Sequence, residues 1–309
     1  MTPAMTEHSI ELVGVSRRFG EIPAVANLDL HVTGGSVAVL LGPNGAGKTT
    51  TIRLITGALA ADSGTVRVLG LDPAVDGDLV RARCGVVPPK PAMYDQLTGL
   101  ENLQFAADIW DAPRSSVVEA AERFGIAHAL AQQVGGYSTG MRTRLALARA
   151  VVHDPDVLLL DEPTAGLDPE SARAVLDLIR ELAERGRTIV MCTHLLHEAE
   201  GIADQVVLMG AGSARASGRP TDLAGQFMRQ PNVVFDAENR ESLDVVLSLP
   251  GVVDAMWNGA LHVRLESPEH LPDVVAGLVA AGARLTRVEP IAPTLANLYF
   301  EMQRSLGDL

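Results

Sequence analysis

The amino-acid sequence predicts an α/β protein followed by a small α+β domain, and three observations carry that prediction. A glycine-rich loop, Gly42 to Thr50, stands between an apolar strand and the start of a helix. A second apolar run, Val157 to Leu160, ends in the paired carboxylates Asp161 and Glu162, the pattern of a parallel strand buried on both faces. Beyond about residue 225 the pattern changes to short strands and helices in the order βαββαβ, with Asn258-Gly259 as a hairpin turn between two of the strands.

The first strands fall at residues 10 to 15 and about 25 to 32, where apolar and polar positions alternate, and Phe19 sits in the turn between them. An aromatic in such a turn is ordinarily local packing. The loop that follows Val37 to Leu41 runs Gly42, Pro43, Asn44, Gly45, Ala46, Gly47, Lys48, Thr49, Thr50 and fits G-x-x-x-x-G-K-[ST]. Its bare backbone N–H groups can close on phosphate oxygens, Lys48 can reach the β- and γ-phosphates, and the Thr49 hydroxyl can ligate Mg²⁺. The helix from Thr49 to about Leu59 points the positive end of its dipole at the same anion. A strand from Thr65 to Leu69 puts β structure on both sides of the loop, and another, Cys84 to Val87, ends at Pro88-Pro89.

Residues about 91 to 153 read as a helical insert, with apolar residues at helical spacing through Leu103, Val117 and Phe124. At Tyr137-Ser138-Thr139-Gly140-Met141 a small-residue loop opens another helix, for which a plain N-cap is a sufficient reading. Asp161 and Glu162 need a cation at the end of a buried strand. In a phosphate-binding protein Asp161 would hold Mg²⁺ through water, and Glu162, one step further out, could act as the base for an attacking water. A helix N-cap pair is the competing reading. Ala165 to Pro169 is a turn before a helix that runs to about Glu184, and the strand Thr188 to Thr193 brings His194 to its end, where α/β sheets bind ligands. His194 and His197 with Glu198 suggest a zinc helix only faintly, because H-E-x-x-H is absent and no further ligand is placed nearby.

Composition bounds the classes. The 309 residues suit two domains, and 47% hydrophobic residues suffice for a core in each. A net charge of −13 argues against a nucleic-acid partner. Cys84 and Cys192 lie far apart without metal spacing and are expected as thiols in a reducing cytoplasm. The first residues lack the pattern of a signal peptide, and no apolar run approaches the ~18 residues of a membrane helix, so a cytoplasmic chain is expected.

Taken in order, these motifs resemble those of the ATP-binding cassette (ABC) ATPases over roughly residues 8 to 225. The glycine loop, the Tyr137 to Met141 stretch, Leu158 to Pro163, Ala165 to Asp168 and His194 are similar to the Walker A, signature, Walker B, D-loop and switch histidine of that family. The resemblance implies a P-loop NTPase cassette with an antiparallel β subdomain and a helical insert, binding ATP and Mg²⁺. It also implies a homodimer with two composite sites, each ATP held by the loop of one chain and by Ser138 and Gly140 of the other. Phe19 then falls where the family stacks an aromatic on adenine. No span crosses the membrane, so the implied partner is a separately encoded integral-membrane permease, contacted through Met93, Tyr94 and Leu97, with the cassette peripheral on the inner face of the membrane.

The chain departs from the family's pattern at two positions. Thr139 replaces a glycine of the common signature, a variation familiar in the export branch. Pro89 stands where the family carries a glutamine, and Gln96 is out of register. The tail, residues 226 to 309, reads as a ferredoxin-like accessory domain, closed by a helix from Thr294 to Gln303, and resembles the extensions of drug-export and antibiotic-self-resistance ATPases. The expected function is the ATP-hydrolysing subunit of an exporter. A soluble mechanical ATPase would bring tandem cassettes and basic surfaces, which are lacking. A nucleotide-gated switch with little turnover is kept open by Pro89.

Overall fold

The computed structural model describes residues 8–227, 231–239 and 241–291. The chain divides between Arg219 and Pro220 into two compact units.

In the first unit, β1 (His8–Phe19) and β2 (Ile22–Thr33) form a long hairpin, joined on the other edge of β1 by β4 (Ser63–Val68). Both hairpin strands outrun their sequence expectation, because register shifts after Leu12, Val15 and Arg17 interrupt the alternation. Gly14 takes φ 61° and donates its N–H to Asp29 at 2.7 Å, while Asn27 takes φ 48° and donates its N–H to the Ser16 hydroxyl at 2.9 Å. Phe19 accordingly lies not in a turn but as the last residue of β1, paired with Ile22.

Against this sheet packs a second one, built from β3 (Val37–Leu41), β5 (Cys84–Val87), β6 (Val157–Asp161), β7 (Thr188–Thr193), β8 (Gln205–Gly210) and β9 (Ser213–Gly218). The order is β5-β6-β7-β3-β8-β9, parallel except for β9. Every residue of β3, β6 and β7 is buried, which is why these strands read as unbroken apolar runs. One core joins the two sheets, with Ile10, Leu12, Leu28 and Leu30 from the antiparallel side meeting Leu40, Leu159 and Val190 from the parallel side.

The helices of this unit are α1 (Lys48–Ile55), α2 (Gly77–Ala82), α3 (Gly99–Ile109), α4 (Arg114–Arg123), α5 (Thr139–Val151), α6 (Pro169–Glu184) and α7 (Leu196–Ile202). Helix α1 stops short of the expected Leu59 because Gly57, at φ 69°, supplies the left-handed residue that closes a helix. Helix α2, absent from the sequence reading, is six residues long and buries only Val80, too little for a periodic signal. Helix α3 begins in a capping box: the Thr98 side chain accepts from the Glu101 N–H while Glu101 reaches back to the Thr98 N–H.

The second unit opens with α8 (Pro220–Phe227) and contains β10 (Asn232–Ala237), β11 (Val252–Asn258), β12 (Ala260–Leu265) and β13 (Leu285–Ile291) in one antiparallel sheet of order β11-β12-β10-β13. Gly259, at φ 74°, makes the tight turn between β11 and β12. Helix α9 (Leu271–Ala280) sends Val274 and Leu278 into a core with Val233, Phe235, Val263 and Leu265. The helix expected near 241 to 249 is instead a 3₁₀ segment, Glu241–Ser248, shut off by Pro250, which disfavours α geometry at the residue before it. The closing helix expected over Thr294 to Gln303 lies outside the described residues.

Candidate functional site

The central strands set the site. Because β3 lies beside β7 and β7 beside β6, the residues that follow their carboxyl ends (Gly42, His194 and Glu162) are brought to one edge of the sheet. The backbone ties them there: the Gly42 N–H reaches the Thr193 carbonyl at 3.4 Å, and the Glu162 N–H reaches the Cys192 carbonyl at 2.9 Å.

The loop between β3 and α1 has a packed wall and an open crest. A Cβ on Gly42 would collide with the Met209 carbonyl, and one on Gly47 would lie 2.5 Å from the Ala24 carbonyl oxygen. Gly47 also takes φ 99°, so glycine is required there twice over. Gly45, at φ 83°, has nothing within 4 Å of its missing Cβ, and with Pro43 and Asn44 it forms an exposed rim. Ala46, Gly47 and Lys48 are buried beneath it, while Thr49 and Thr50 are half-buried at the first turn of α1. Lys48 is 6% exposed, and its Nζ donates to the Gly42 carbonyl at 2.6 Å and the Pro43 carbonyl at 3.1 Å, so the loop is wrapped around its own cation.

Two side-chain pairs complete the floor. The Thr49 hydroxyl donates to Asp161 Oδ2 at 2.5 Å, across 112 residues of chain. Asp161 is 3% exposed, and burial pushes its carboxyl above the usual range, opposed by the Thr49 hydrogen bond and more distantly by Lys48 and Arg53. An anionic and a neutral oxygen side by side in a dry position fit a hard divalent cation that takes its remaining ligands from phosphate and water. The second pair is Glu162 Oε1 and His194 Nδ1, 3.1 Å apart. Glu162 adopts φ 53°, a conformation that costs a non-glycine residue on the order of 1–3 kcal/mol and that clusters at functional sites.

Phe19 is half exposed at the end of the hairpin, and the Arg17 guanidinium sits 5.4 Å from its ring centroid on one face. Arg17 is itself held by Asp62 at 2.8 Å and by the Ala60 carbonyl at 3.2 Å. The hairpin is anchored to the glycine loop through Ala24 and Val25, which crowd Gly47 and Gly212.

Ser138 and Gly140 are placed differently. Ser138 is the N-cap of α5, its hydroxyl accepting from the Met141 N–H at 3.2 Å, and both it and Thr139 are exposed. A Cβ on Gly140 would lie 3.8 Å from the Ser171 hydroxyl, so this helix start faces the beginning of α6. Among the described residues neither position makes a hydrogen bond to the glycine loop.

Beside the Thr49 and Asp161 pair opens a cavity of about 640 Å³, walled by α1, β5, the proline pair and α3. Pro88, Pro89, Met93 and Tyr94 line it, whereas Leu97 does not. Its far wall was not legible in the sequence: Phe105 and Ile109 of α3 and Trp110 at its C-cap stand at least 37% exposed, Phe105 edge-on to Tyr94 at 5.2 Å and Trp110 stacked on His153 at 5.0 Å. The sequence holds only the large apolar residues themselves as a signal, since their exposure is set by the fold.

A glycine loop with a buried lysine, a threonine and aspartate pair, and a carboxylate and histidine pair together define a nucleotide-hydrolysing α/β protein. The chain belongs to the ABC transporter family. The family model for the ABC transporter matches residues 25–165. The daunorubicin/doxorubicin resistance ATP-binding protein DrrA of Streptomyces peucetius is 38% identical over 271 residues, covering 84% of this chain and 82% of that one. The ABC transporter ATP-binding protein YxlF of Bacillus subtilis (strain 168) is 35% identical over 305 residues, 95% of this chain and 98% of that one. Among solved structures, the ATP-binding subunit of an ABC transporter superposes with a TM-score of 0.65 at 27% identity, over 71% of this chain and 92% of that one. The protein is thus an ATP-binding, ATP-hydrolysing subunit of an ABC transporter.

Proposed function

We propose that this chain couples ATP binding and hydrolysis to export through a separately encoded membrane permease, with a drug, antibiotic or lipid-like compound as cargo. The observation that carries the site assignment is the convergence of Lys48, Thr49, Asp161, Glu162 and His194 on one sheet edge. In this reading the N–H groups of the loop and Lys48 bind the β- and γ-phosphates. Thr49 and Asp161 would hold Mg²⁺, which would neutralise charge on the phosphates. Glu162 accepts a proton from the water that attacks the γ-phosphorus as the bond to the ADP oxygen breaks, and His194 orients Glu162 and the γ-phosphate. Phe19 stacks on adenine with the ring face that Arg17 leaves open.

Ser138 and Gly140 serve a second copy of the chain. An exposed, side-chain-capped helix N-terminus that does not reach its own glycine loop is suited to bind the γ-phosphate held by another. The expected assembly is a homodimer with two such composite sites.

The permease contact belongs at the cavity beside the proline pair, where Met93, Tyr94 and the exposed face of α3 supply an apolar docking surface that also reaches Thr49 and Asp161. The likeness to DrrA supports the export assignment and the class of cargo. Among the described residues no helix is long and apolar enough to cross a membrane, so attachment to the inner face of the membrane would run through the permease. Affinity capture of the full chain from its own cells tests this. Recovery of an integral-membrane partner is expected, and capture of ribosomes or of nothing would overturn it.

Pro89 favours slow basal turnover, which is the ground for the alternative of a nucleotide-gated switch. It is exposed on the cavity wall and offers neither the carbonyl nor the amide donor of a glutamine side chain. Pro89→Gln is expected to raise the steady-state ATPase rate of the isolated chain clearly above wild type. Equal rates with and without permease would discard a role for this position.

The second unit fits a ferredoxin-like accessory domain, on the strength of its strand order and its own apolar core. Its proposed role is support of the dimer. Ending the chain after Arg219 should leave ATP affinity within about twofold of wild type, because each unit has an apolar core of its own. Equilibrium binding of a fluorescent ATP analogue checks this, and loss of binding would contradict it.

A further inference from the structure

Glu198 is the one strongly buried carboxylate besides Asp161 among the described residues, at 1% exposure, and nothing in the hydrolytic scheme above uses it. It lies on α7. Its Oε1 accepts from the Thr164 hydroxyl at 2.5 Å and its Oε2 from the Thr193 hydroxyl at 2.7 Å. Both threonines are themselves buried, and the Thr193 hydroxyl also accepts from the Leu195 N–H at 3.0 Å. Thr164 lies two residues after Glu162, and Thr193 immediately precedes His194. The two oxygens of one buried side chain therefore fasten the segment that carries Glu162 to the segment that carries His194.

From this geometry we infer that Glu198 is a positioning residue for hydrolysis, a clamp that holds the Glu162 and His194 side chains at their mutual 3.1 Å. The inference rests on the reading of that pair as the catalytic one. A buried carboxylate is a poor way to stabilise a core, since its desolvation offsets much of what its hydrogen bonds return. It is a good way to fix two backbones, because an ionised carboxylate accepts from two donors at a defined spacing. The need for fixing is visible at Glu162. At φ 53° that residue is in a conformation its side chain disfavours, and a restraint two residues further on keeps the backbone from relaxing. The other restraint acts from the opposite side, at the residue before His194.

The test compares steady-state ATPase of the full-length chain for wild type, Glu198→Ala, Glu198→Gln, Thr193→Val and the double variant Glu198→Ala/Thr193→Val, with Glu162→Gln as reference. Glu198→Ala should lower kcat about 10-fold with KM for MgATP within about twofold, because a misplaced base slows the chemical step without touching the phosphate loop. Glu198→Gln should recover most of the rate. Its amide oxygen still accepts from Thr193, and the Thr164 hydroxyl can turn to accept from the amide nitrogen. Thr193→Val, nearly isosteric, should slow kcat in the same sense, and the double variant should be no slower than Glu198→Ala, as expected of residues acting through one interaction. Additive losses, or a loss in Glu198→Ala that Gln does not rescue and that follows the unfolded fraction in circular dichroism, would reduce Glu198 to a core residue. A slow Glu162→Gln together with a wild-type rate in Glu198→Ala overturns the clamp alone. A wild-type rate in Glu162→Gln overturns the pair itself, and the clamp with it.

Discussion

Lys48→Ala is expected to lose ATP binding, with affinity falling by on the order of 10²-fold or more, since a buried charge-assisted phosphate contact is among the strongest single contacts a nucleotide site makes. The structure makes the loss specific. Lys48 is the buried cation of the glycine loop, and its Nζ is already placed on the loop carbonyls of Gly42 and Pro43. Truncation vacates room for water between the buried Gly42 carbonyl and the Pro43 carbonyl on the exposed rim, so the fold should survive while the charge proposed to meet the phosphates is gone. Titration with a fluorescent ATP analogue, beside a circular dichroism melt, measures both quantities. Unchanged nucleotide affinity in a folded Lys48→Ala protein would remove the basis for the site.

Glu162→Gln is expected to bind ATP as wild type does but to hydrolyse it on the order of 10²-fold or more slowly, the range for a lost general base. The amide keeps a hydrogen bond to His194 within reach but cannot take a proton from water. Thr49, Asp161 and Lys48 are untouched, so the effect belongs in kcat and not in affinity. A fall in kcat that comes with an equal rise in KM would instead mark Glu162 as a binding residue.

Much of this was readable from the chain because two physical signals were strong. The buried parallel strands announced themselves as apolar runs, and the phosphate loop as glycines where neighbouring carbonyls leave no room for a Cβ. The same logic located Asp161, Glu162 and His194, since polar groups at the ends of buried strands need partners. What stayed hidden depends on contacts between distant segments. Nothing local marks Glu198 as the partner of Thr164 and Thr193, and beside two histidines it even hinted at a metal helix, whereas its carboxylate is committed to hydroxyls. Arg17 beneath Phe19 and the aromatic wall of α3 were missed for a related reason. Both arise where side chains far apart in sequence converge on one surface. The bulged hairpin was underestimated because each register shift resets the alternation on which strand reading relies.

In the proposed assembly the ATP site is completed by a second copy of the chain through Ser138 and Gly140. The most direct measurement is the size of the full-length Glu162→Gln protein by gel filtration with multi-angle light scattering, in MgATP and in MgADP. Twice the mass of the chain is expected in MgATP and a monomer in MgADP, with Ser138→Glu, which sets a carboxylate against the γ-phosphate, abolishing the ATP-dependent dimer. A monomer in MgATP at concentrations that saturate the nucleotide site, or a dimer indifferent to both nucleotide and Ser138, would contradict it.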